Sequence, residues 1–317
     1  MTQDNDLTFG WVTTPVATRE RLQYFPEPLP ATATPGAAAR LLIEENQRFI
    51  DFLRPHFNTI WVEDHFQWGA WPALECWTTM SYLAAQNPDM RVGPIVLGQG
   101  YRNPALLAKM AATLQAFTGG RVILGLGAGW KRDEFDAYGW PYPPAGQRVA
   151  ELEEACRVIR ALWTESPANF QGQYHQLQNA YCEPHPDPPI PLLIGGGGEK
   201  GTLRVVARYA DWWDTNICPV ETYAHKQRVL AEHCRAIGRD PASIKYIYFG
   251  FVSIVDDPAD IARREGVHTV GGTPEQVAAE LREFLKLGVS HFIIRFMDWP
   301  STRGAERFIQ DVLPRLR

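Results

Sequence analysis

An adjacent acid and imidazole, Asp64 and His65, stand directly after an apolar run at 59–63. Imidazole exchanges a proton near neutral pH, and a neighbouring carboxylate can bind a ligand N–H group or orient the ring. Trp68 and Trp71 follow in the next turn and offer aromatic surface beside the pair. The spacing predicts proton transfer next to an apolar pocket. The alternative is a surface histidine, or one that is bonded to nearby backbone.

A second group of candidates consists of the glycines around the next apolar run, at 90–98. Gly93, Gly98 and Gly100 surround its apolar centre. Glycines inside a strand indicate either a β-bulge or a close approach of the backbone to a ligand. Simple curvature of a barrel strand explains the same glycines, so this motif alone leaves both interpretations open.

The run at 121–126 leads into a third glycine motif, LGLGAGWKRDEF, with glycines at 125, 127 and 129. The motif resembles a dinucleotide fingerprint, but it lacks the final spaced glycine and a strand-ending acid about 20 residues later. The same letters fit a loop that passes beneath a planar ring system. In that interpretation Trp130 and Asp133 point towards the ring.

A fourth motif, Gly195 to Gly198, lies between the apolar residues PLLI and a helical pattern that begins near Glu199. A strand, glycines and a helix N-terminus in this order present bare N–H groups and the positive end of the helix dipole to an anion. The motif therefore predicts a site for a phosphate or another ligand anion. A flexible linker is the weaker interpretation, because apolar runs flank the glycines tightly.

Tryptophans are frequent at the ends of the same apolar runs. Large aromatic side chains fill barrel cores well, and this explains some of them. Their position beside the glycine loops also favours a broad apolar pocket that could hold a flat cofactor. The tryptophans concerned are Trp11, Trp68, Trp71, Trp130, Trp212, Trp213 and Trp299.

Eight apolar, β-rich runs alternate with eight helical patterns, and this alternation predicts an α/β fold, a (β/α)8 TIM barrel. Ligands of such barrels meet the carboxyl ends of the strands, where the motifs above lie. A doubly wound sheet is the rival fold. The polar, proline-rich stretch at 164–190 is interpreted as an insertion before strand 5 in one domain, 1–317, because the alternation resumes after it. The runs are 7–13, 59–63, 90–98, 121–126, 191–195, 212–216, 244–255 and 290–296, and the helical patterns are 36–54, 74–86, 104–117, 147–163, 199–209, 220–237, 274–287 and 301–316, with a capping box predicted at 273–276.

Composition narrows the classes of partner. The 317 residues carry a formal charge of −5, which argues against nucleic acid or an anionic membrane and favours a small-molecule substrate. The five cysteines form no CxxC pair and indicate neither a disulfide framework nor a metal site. No signal peptide and no apolar run of about 20 residues is evident, so the expected location is the cytoplasm and no membrane span is expected.

Five blocks of the sequence, in this order, resemble the bacterial luciferase-like superfamily, and most closely its F420-dependent oxidoreductase branch. The blocks are EDHF (63–66), GPIVLGQGYRNPALLAKMAATLQAFTGGRVILGLGAGW (93–130), RVAELEEACRVIRALW (148–163), FQGQYHQL (170–177) and PLLIGGGGEKGTLRVVARYADWW (191–213). The resemblance implies an α/β barrel with an inserted segment and coenzyme F420, or alternatively FMN, at the carboxyl face. It also implies a possible homodimer.

The resemblance assigns roles to individual positions. It implies that His65 is the catalytic acid or base, and that a non-proline cis peptide near Ile95 and Val96 backs the cofactor ring. Trp130 stands where sugar-phosphate dehydrogenases of the family carry a glutamate proton donor, and this departure argues against a sugar phosphate as substrate. The cofactor-binding positions predicted from the resemblance and the motifs together are Asp64, Ile95, Val96, Gly98, Ala128, Gly129, Trp130, Asp133, Gly196, Gly197 and Gly198.

Three functions follow as hypotheses. The first is an F420-dependent oxidoreductase whose small organic substrate lies between Trp68, Trp71 and Tyr101. The second is an FMN-dependent monooxygenase that uses O2 and reduced flavin from a partner reductase. The third is a barrel that binds flavin without turnover. The acidic tail of F420 would require nearby cations, for which Lys131, Arg132 and Lys200 are candidates, although a solvated charged surface explains them equally well.

Overall fold

A barrel of parallel strands forms the centre of the molecule in the computed structural model, which describes residues 7–16, 34–215 and 217–317. The strands pair in the order β3-β2-β1-β12-β10-β9-β8-β5-β4, and a pairing of Val92 with Val122 joins the two ends of the series. This closure confirms the predicted barrel and excludes an open doubly wound sheet. The strands are β1 (Thr8–Val12), β2 (Thr59–Val62), β3 (Arg91–Pro94), β4 (Leu97–Gly98), β5 (Leu124–Gly127), β6 (Ala168–Gln171), β7 (Gln176–Ala180), β8 (Leu192–Gly195), β9 (Trp212–Asp214), β10 (Lys245–Ile254), β11 (Thr269–Gly272) and β12 (Val289–Phe296).

Each of the eight predicted apolar runs overlaps a barrel strand, and the run at 90–98 contains two, β3 and β4. The helices that cover the barrel also follow the predicted patterns, because an apolar stripe at 3.6-residue spacing must be buried against the strands. The structure adds a short helix after β5 that the pattern did not predict. The helices are α1 (Pro35–Leu53), α2 (Cys76–Gln86), α3 (Pro104–Thr118), α4 (Arg132–Ala137), α5 (Ala145–Thr164), α6 (Thr202–Tyr209), α7 (Val220–Ala236), α8 (Pro274–Lys286) and α9 (Arg303–Arg307).

Helix ends show where local sequence rules hold and where they fail. The capping box predicted at 273–276 is present at the start of α8, with both reciprocal hydrogen bonds between Thr273 and Gln276. The helix expected from Glu199 begins only at Thr202, because the glycine loop extends further than the pattern suggested. The pattern at 301–316 forms α9 followed by tighter and wider turns instead of one regular helix.

The predicted insertion at 164–190 contains a two-stranded antiparallel hairpin, β6 with β7. Glu154 on α5 holds its turn, because the Glu154 carboxylate accepts hydrogen bonds from the backbone N–H groups of Gln173, Tyr174 and His175 at 2.7–3.1 Å. One carboxylate on a covering helix therefore fixes the turn of the hairpin.

Val96 fills the barrel interior next to the break between β3 and β4. The peptide bond between Ile95 and Val96 is cis, at the place that the resemblance implied. A Cβ atom at Gly127 or Gly195 would lie 2.8 Å or 3.0 Å from a Val96 methyl group, and one at Gly125 would overlap the Pro94 carbonyl oxygen. These glycines on β5 and β8 therefore make room for Val96.

No described helix is long and apolar enough to cross a bilayer. All five cysteines are buried and free. Within the described ranges, no group of three or more His, Cys, Asp and Glu side chains is arranged to hold a metal ion.

The close packing around Val96 predicts that one methyl group added at Gly125 lowers stability. Gly125→Ala should lower the free energy of unfolding by about 2–3 kcal/mol, because the new Cβ would overlap backbone and a packed side chain. Gly146→Ala is the matched control, since its Cβ would meet nothing within 4 Å and alanine favours the helix by about 0.5–1 kcal/mol. Urea unfolding measures both, and equal stability of the two variants would contradict this account.

Candidate active site

His65 and Glu134 form a side-chain pair at the carboxyl end of the barrel. His65 Nδ1 lies 3.2 Å from Glu134 Oε1; the imidazole is 12% exposed and the Glu134 side chain is fully buried. An ionised carboxylate only accepts, so this contact assigns the proton of neutral His65 to Nδ1. The other nitrogen, Nε2, makes no hydrogen bond within the described residues and is the atom that can exchange a proton with a ligand.

Glu134 is held in place by several donors besides His65. The backbone N–H groups of Phe66 and Gln67 donate to Oε1 at 2.9 Å and 3.3 Å, and the Tyr101 hydroxyl donates to Oε2 at 2.9 Å. Burial alone would raise the pKa of Glu134, but the bonds from His65, Phe66 and Tyr101 outweigh it and lower that pKa. Burial and Glu134 also raise the pKa of Tyr101, which keeps its hydroxyl a donor. The carboxylate is thus fixed in its charged form.

Two indole rings flank the His65 imidazole. The Trp68 ring centroid lies 5.3 Å from that of His65 and the Trp130 ring centroid 6.0 Å, both in edge-to-face orientation. Lys131 Nζ lies 5.0 Å from the Trp68 ring, and the guanidinium of Arg264 lies 5.6 Å from the same ring. The outer wall of the site therefore combines aromatic surface with two cations.

Asp64, the neighbour of His65, is engaged within the chain. Its carboxylate binds the Arg102 guanidinium at 2.9 Å through each oxygen and accepts the Gly98 N–H at 2.9 Å. Burial raises the pKa of Asp64, and the ion pair with Arg102 and the Gly98 N–H act against that rise. Both oxygens have partners, so Asp64 braces the end of β2 against β4.

The segment from Gly98 to Arg102 connects four parts of the site. Gly98 and Arg102 bind Asp64, and Arg102 also donates to Glu75 at the start of α2. Between them, Gln99 Nε2 lies 3.5 Å from His175 Nε2 in the insertion, and Tyr101 donates to Glu134. Five consecutive residues thus contact Asp64, the hairpin of the insertion and the Glu134 carboxylate behind His65.

The glycine loop at 195–198 is lined by two threonine hydroxyls. A Cβ at Gly197 would lie 2.5 Å from Thr215 Oγ1, and one at Gly198 would lie 3.0 Å from Thr202 Oγ1. The backbone N–H groups of Gly197 and Gly198 donate to no other described residue. Hydroxyl and amide donors around a loop that lacks side chains are suited to a phosphate group.

The structure brings some predicted residues together and separates others. Trp68 and Trp130 flank His65, whereas Tyr101 packs between Phe135 and Trp140 and supports Glu134 from behind. Trp71 is 39% exposed and turns back on Trp68.

Asp133 points outward. Its side chain is 60% exposed and pairs with Lys131, so the carboxylate that faces the site is Glu134. Gly129 adopts a positive φ of 76° beside Phe135, and Ala128 packs against the core. Of the tryptophans proposed for the pocket, four are core residues instead: Trp11, Trp212, Trp213 and Trp299.

Four site residues were not identified from the sequence: Arg102, Glu134, Thr202 and Thr215. The signal for Glu134 was present in the letters RDEF, where two carboxylates are adjacent. Successive helical residues point about 100° apart, so only one of the two can face the barrel. Arg102 carried no local signal, because its partner Asp64 lies 38 positions away.

Comparisons with known proteins identify the family of the chain. A family model described as luciferase-like monooxygenase matches residues 56–270. An F420-dependent glucose-6-phosphate dehydrogenase from Kineococcus radiotolerans is 27% identical over 329 aligned residues, which cover 89% of this chain and 94% of that protein. A protein of the same name from Amycolatopsis mediterranei is 28% identical, with 82% and 90% covered.

Solved structures confirm the fold. An F420-dependent secondary alcohol dehydrogenase, in complex with an F420-acetone adduct, matches with a TM-score of 0.79 at 20% identity, over 98% of this chain and 99% of that one. EDTA monooxygenase from Chelativorans sp. BNC1 matches with a TM-score of 0.78 at 14% identity, over 98% and 93%. Both the dehydrogenase and the monooxygenase thus share the barrel.

The lowered pKa of Glu134 predicts how stability depends on pH. Glu134→Gln should reduce the free energy of unfolding by about 1–3 kcal/mol at pH 7, because buried donors lose a charged acceptor. The contribution of the carboxylate is present above the ordinary Glu pKa of about 4.3 and is lost as pH falls through the lowered folded-state value. The difference between wild type and E134Q in urea unfolding should therefore shrink below about pH 4.

The control for this measurement is Asp136→Asn, which removes an exposed carboxylate from the same helix. We expect D136N to change stability by less than about 0.5 kcal/mol at either pH. A cost of E134Q that stays constant from pH 7 to pH 3 would contradict the assignment.

Proposed function

Because the chain belongs to the luciferase-like monooxygenase family, we propose that it is an F420-dependent oxidoreductase acting on a small organic substrate. The observation that carries this proposal is the His65–Glu134 pair at the mouth of the barrel, where Nε2 can exchange a proton. Relatives named as F420-dependent dehydrogenases that align over most of the chain support the choice of cofactor.

The residues around the mouth fit a deazaflavin with a phosphate. Val96 and Ile95 present an apolar surface inside the barrel, and Ala128 and Gly129 border it. The glycines at 196–198, with the hydroxyls of Thr202 and Thr215, would hold the phosphate. When bound, the cofactor supplies a carbon that accepts or donates hydride.

The chain's own contribution is to hold and move one proton. Glu134 fixes the tautomer and orientation of His65, and it stabilises the imidazolium after His65 Nε2 accepts a proton from a substrate hydroxyl. In the reverse direction Nε2 returns that proton. Trp68 and Trp130 flank the ring and limit access of water, and Trp71 extends this aromatic wall outward.

Location and assembly complete the proposal. We propose a cytoplasmic enzyme, because all five buried cysteines are free and a reducing compartment keeps them so. We also propose a homodimer. Exposed large apolar side chains on the adjacent helices α2 and α3 support a contact there, namely Tyr82, Leu106 and Phe117.

Cofactor choice is tested by titration of the purified chain with F420 and, separately, with FMN. We expect a change in the visible spectrum that saturates with F420 at a concentration at least about tenfold lower than with FMN, a difference of about 1.4 kcal/mol. Preferential binding of FMN would instead favour a monooxygenase that depends on a flavin reductase. Binding of neither cofactor would overturn the enzyme assignment.

The role of His65 is tested by His65→Ala. Loss of the acid or base should lower turnover about 10²–10⁴-fold, measured with a panel of alcohols and, in reverse, ketones, while the affinity for F420 changes less than about threefold. His56→Ala, which alters a histidine in the turn before β2, is the control and should retain wild-type turnover. Unchanged turnover in H65A would refute the assignment, and absence of turnover in the wild type would favour a barrel that only binds its cofactor.

A further inference from the structure

A second polar group, separate from the His65–Glu134 pair, lies inside the barrel mouth. Arg295 is on β12 two residues after Ile293, whose side chain belongs to the inner barrel cluster. Since alternate residues of a strand share a face, Arg295 also points into the barrel, one layer closer to the mouth. Its side chain is only 7% exposed, so this is a buried cation at the carboxyl end of the strands.

Towards the described residues, the Arg295 guanidinium donates hydrogen bonds through one of its three nitrogens. Nη2 donates to the Thr13 carbonyl oxygen at 2.9 Å and to Glu63 Oε2 at 2.7 Å. Nε is buried without any hydrogen-bond partner, and Nη1 donates to no other described residue. Nε is sealed from solvent, whereas Nη1 is not among the buried atoms that lack a partner, so Nη1 is the donor that a ligand oxygen can reach.

The side chains around Arg295 indicate which kind of ligand fits beside it. Glu63 lies 2.7 Å from Arg295 and offsets its positive charge, so the guanidinium attracts an added anion less strongly than an unpaired arginine would. The rings of Phe249 and Phe251 lie 5.9 Å and 5.7 Å from the guanidinium carbon and supply apolar walls. A neutral oxygen on an apolar molecule satisfies both features, because it accepts hydrogen bonds and brings no charge.

The position of the Arg295–Glu63 pair relative to His65 connects the pair with the proposed reaction. Glu63 precedes His65 by two residues, which span at most about 7 Å of chain. The Arg295–Glu63 pair therefore lies at the same strand end as His65. A ligand held at Arg295 would therefore lie at the strand end that also carries the imidazole.

We propose that Arg295 anchors the substrate through Nη1, and that the substrate class is a neutral alcohol or its ketone or aldehyde, not a carboxylate or phosphate. This inference rests on the proposed function for its chemistry. Glu63 holds the guanidinium in place and sets the preference for uncharged ligands. Arg295 is thus a binding residue for specificity, whereas His65 moves the proton.

Equilibrium binding tests the proposal without reliance on turnover. The chain is first titrated with F420, and the loaded protein is then titrated calorimetrically with matched ketones: acetone, cyclohexanone and acetophenone against pyruvate, 4-oxocyclohexanecarboxylate and 4-acetylbenzoate. We expect at least one neutral ketone to bind about tenfold or more tightly than its carboxylate counterpart. Arg295→Met should weaken that binding at least tenfold and leave the F420 affinity within twofold.

Two further variants keep the test decisive. Glu63→Gln retains Arg295 but removes the neutralising charge, so it should narrow or reverse the preference for the uncharged ketone. Arg160→Met is the matched control, because Arg160 Nη2 also bonds one backbone carbonyl and one carboxylate, those of Tyr209 and Asp211, on the outside of the barrel. R160M should bind ketones as the wild type does. If R295M does not fold, the E63Q result alone decides.

The outcomes separate the two proposals. Absence of F420 binding counts against the proposed function, whatever the ketones do. Normal F420 binding overturns the role of Arg295 if the wild type binds no neutral ketone, prefers the carboxylates, or matches R295M. An unchanged charge preference in E63Q overturns it as well.

Discussion

The space that Val96 occupies inside the barrel is the constraint on which the candidate site depends. A barrel of eight strands normally fills its interior with side chains from every strand. Here the backbone of β5 and β8 gives up side chains at Gly125, Gly127 and Gly195 so that one valine can project inward. The chain between β3 and β4 consequently departs from regular pairing, and Gly98 emerges where Asp64 can accept its N–H.

The carboxylates at the mouth of the barrel are largely buried, and each therefore needs a partner for its negative charge. Asp64, Glu63 and Glu134 all lie close to the carboxyl end of β2, and three carboxylates so close together would repel one another without partners. Arg102 neutralises Asp64, Arg295 neutralises Glu63, and Glu134 is bonded to hydroxyl, amide and imidazole donors. Each negative charge thus has a partner, and among the described residues the Nε2 atom of His65 stays without one.

The sequence alone predicts the strands and helices of the fold more completely than it predicts the residues of the site. The spacing of apolar residues in a segment reflects which face of that segment is buried. The eight runs and most helices could therefore be identified from each segment by itself. Helix α4 has only six residues and no apolar stripe long enough to fix its phase. The sequence alone therefore could not decide between Asp133 and Glu134.

Contacts between distant segments were the other source of error. The ion pairs of Asp64 with Arg102 and of Glu63 with Arg295 join residues 38 and 232 positions apart, and nothing in either local sequence signals them. The hairpin at 168–180 escaped notice because its strands are mostly exposed and lack clear apolar alternation. The glycines were identified correctly as special, yet Gly125 and Gly127 serve packing, which letters alone do not distinguish from ligand contact.

The contacts of the segment from Gly98 to Arg102 require that the segment keep its length of five residues. Its residues have partners in β2, the insertion, α4 and α2. Substitution at one position alters one of these contacts. Loss or gain of a single residue would displace the rest by about 3.3 Å and change several together. A change of length in these five residues would therefore disturb the brace at Asp64, the hairpin and the carboxylate behind His65 at the same time.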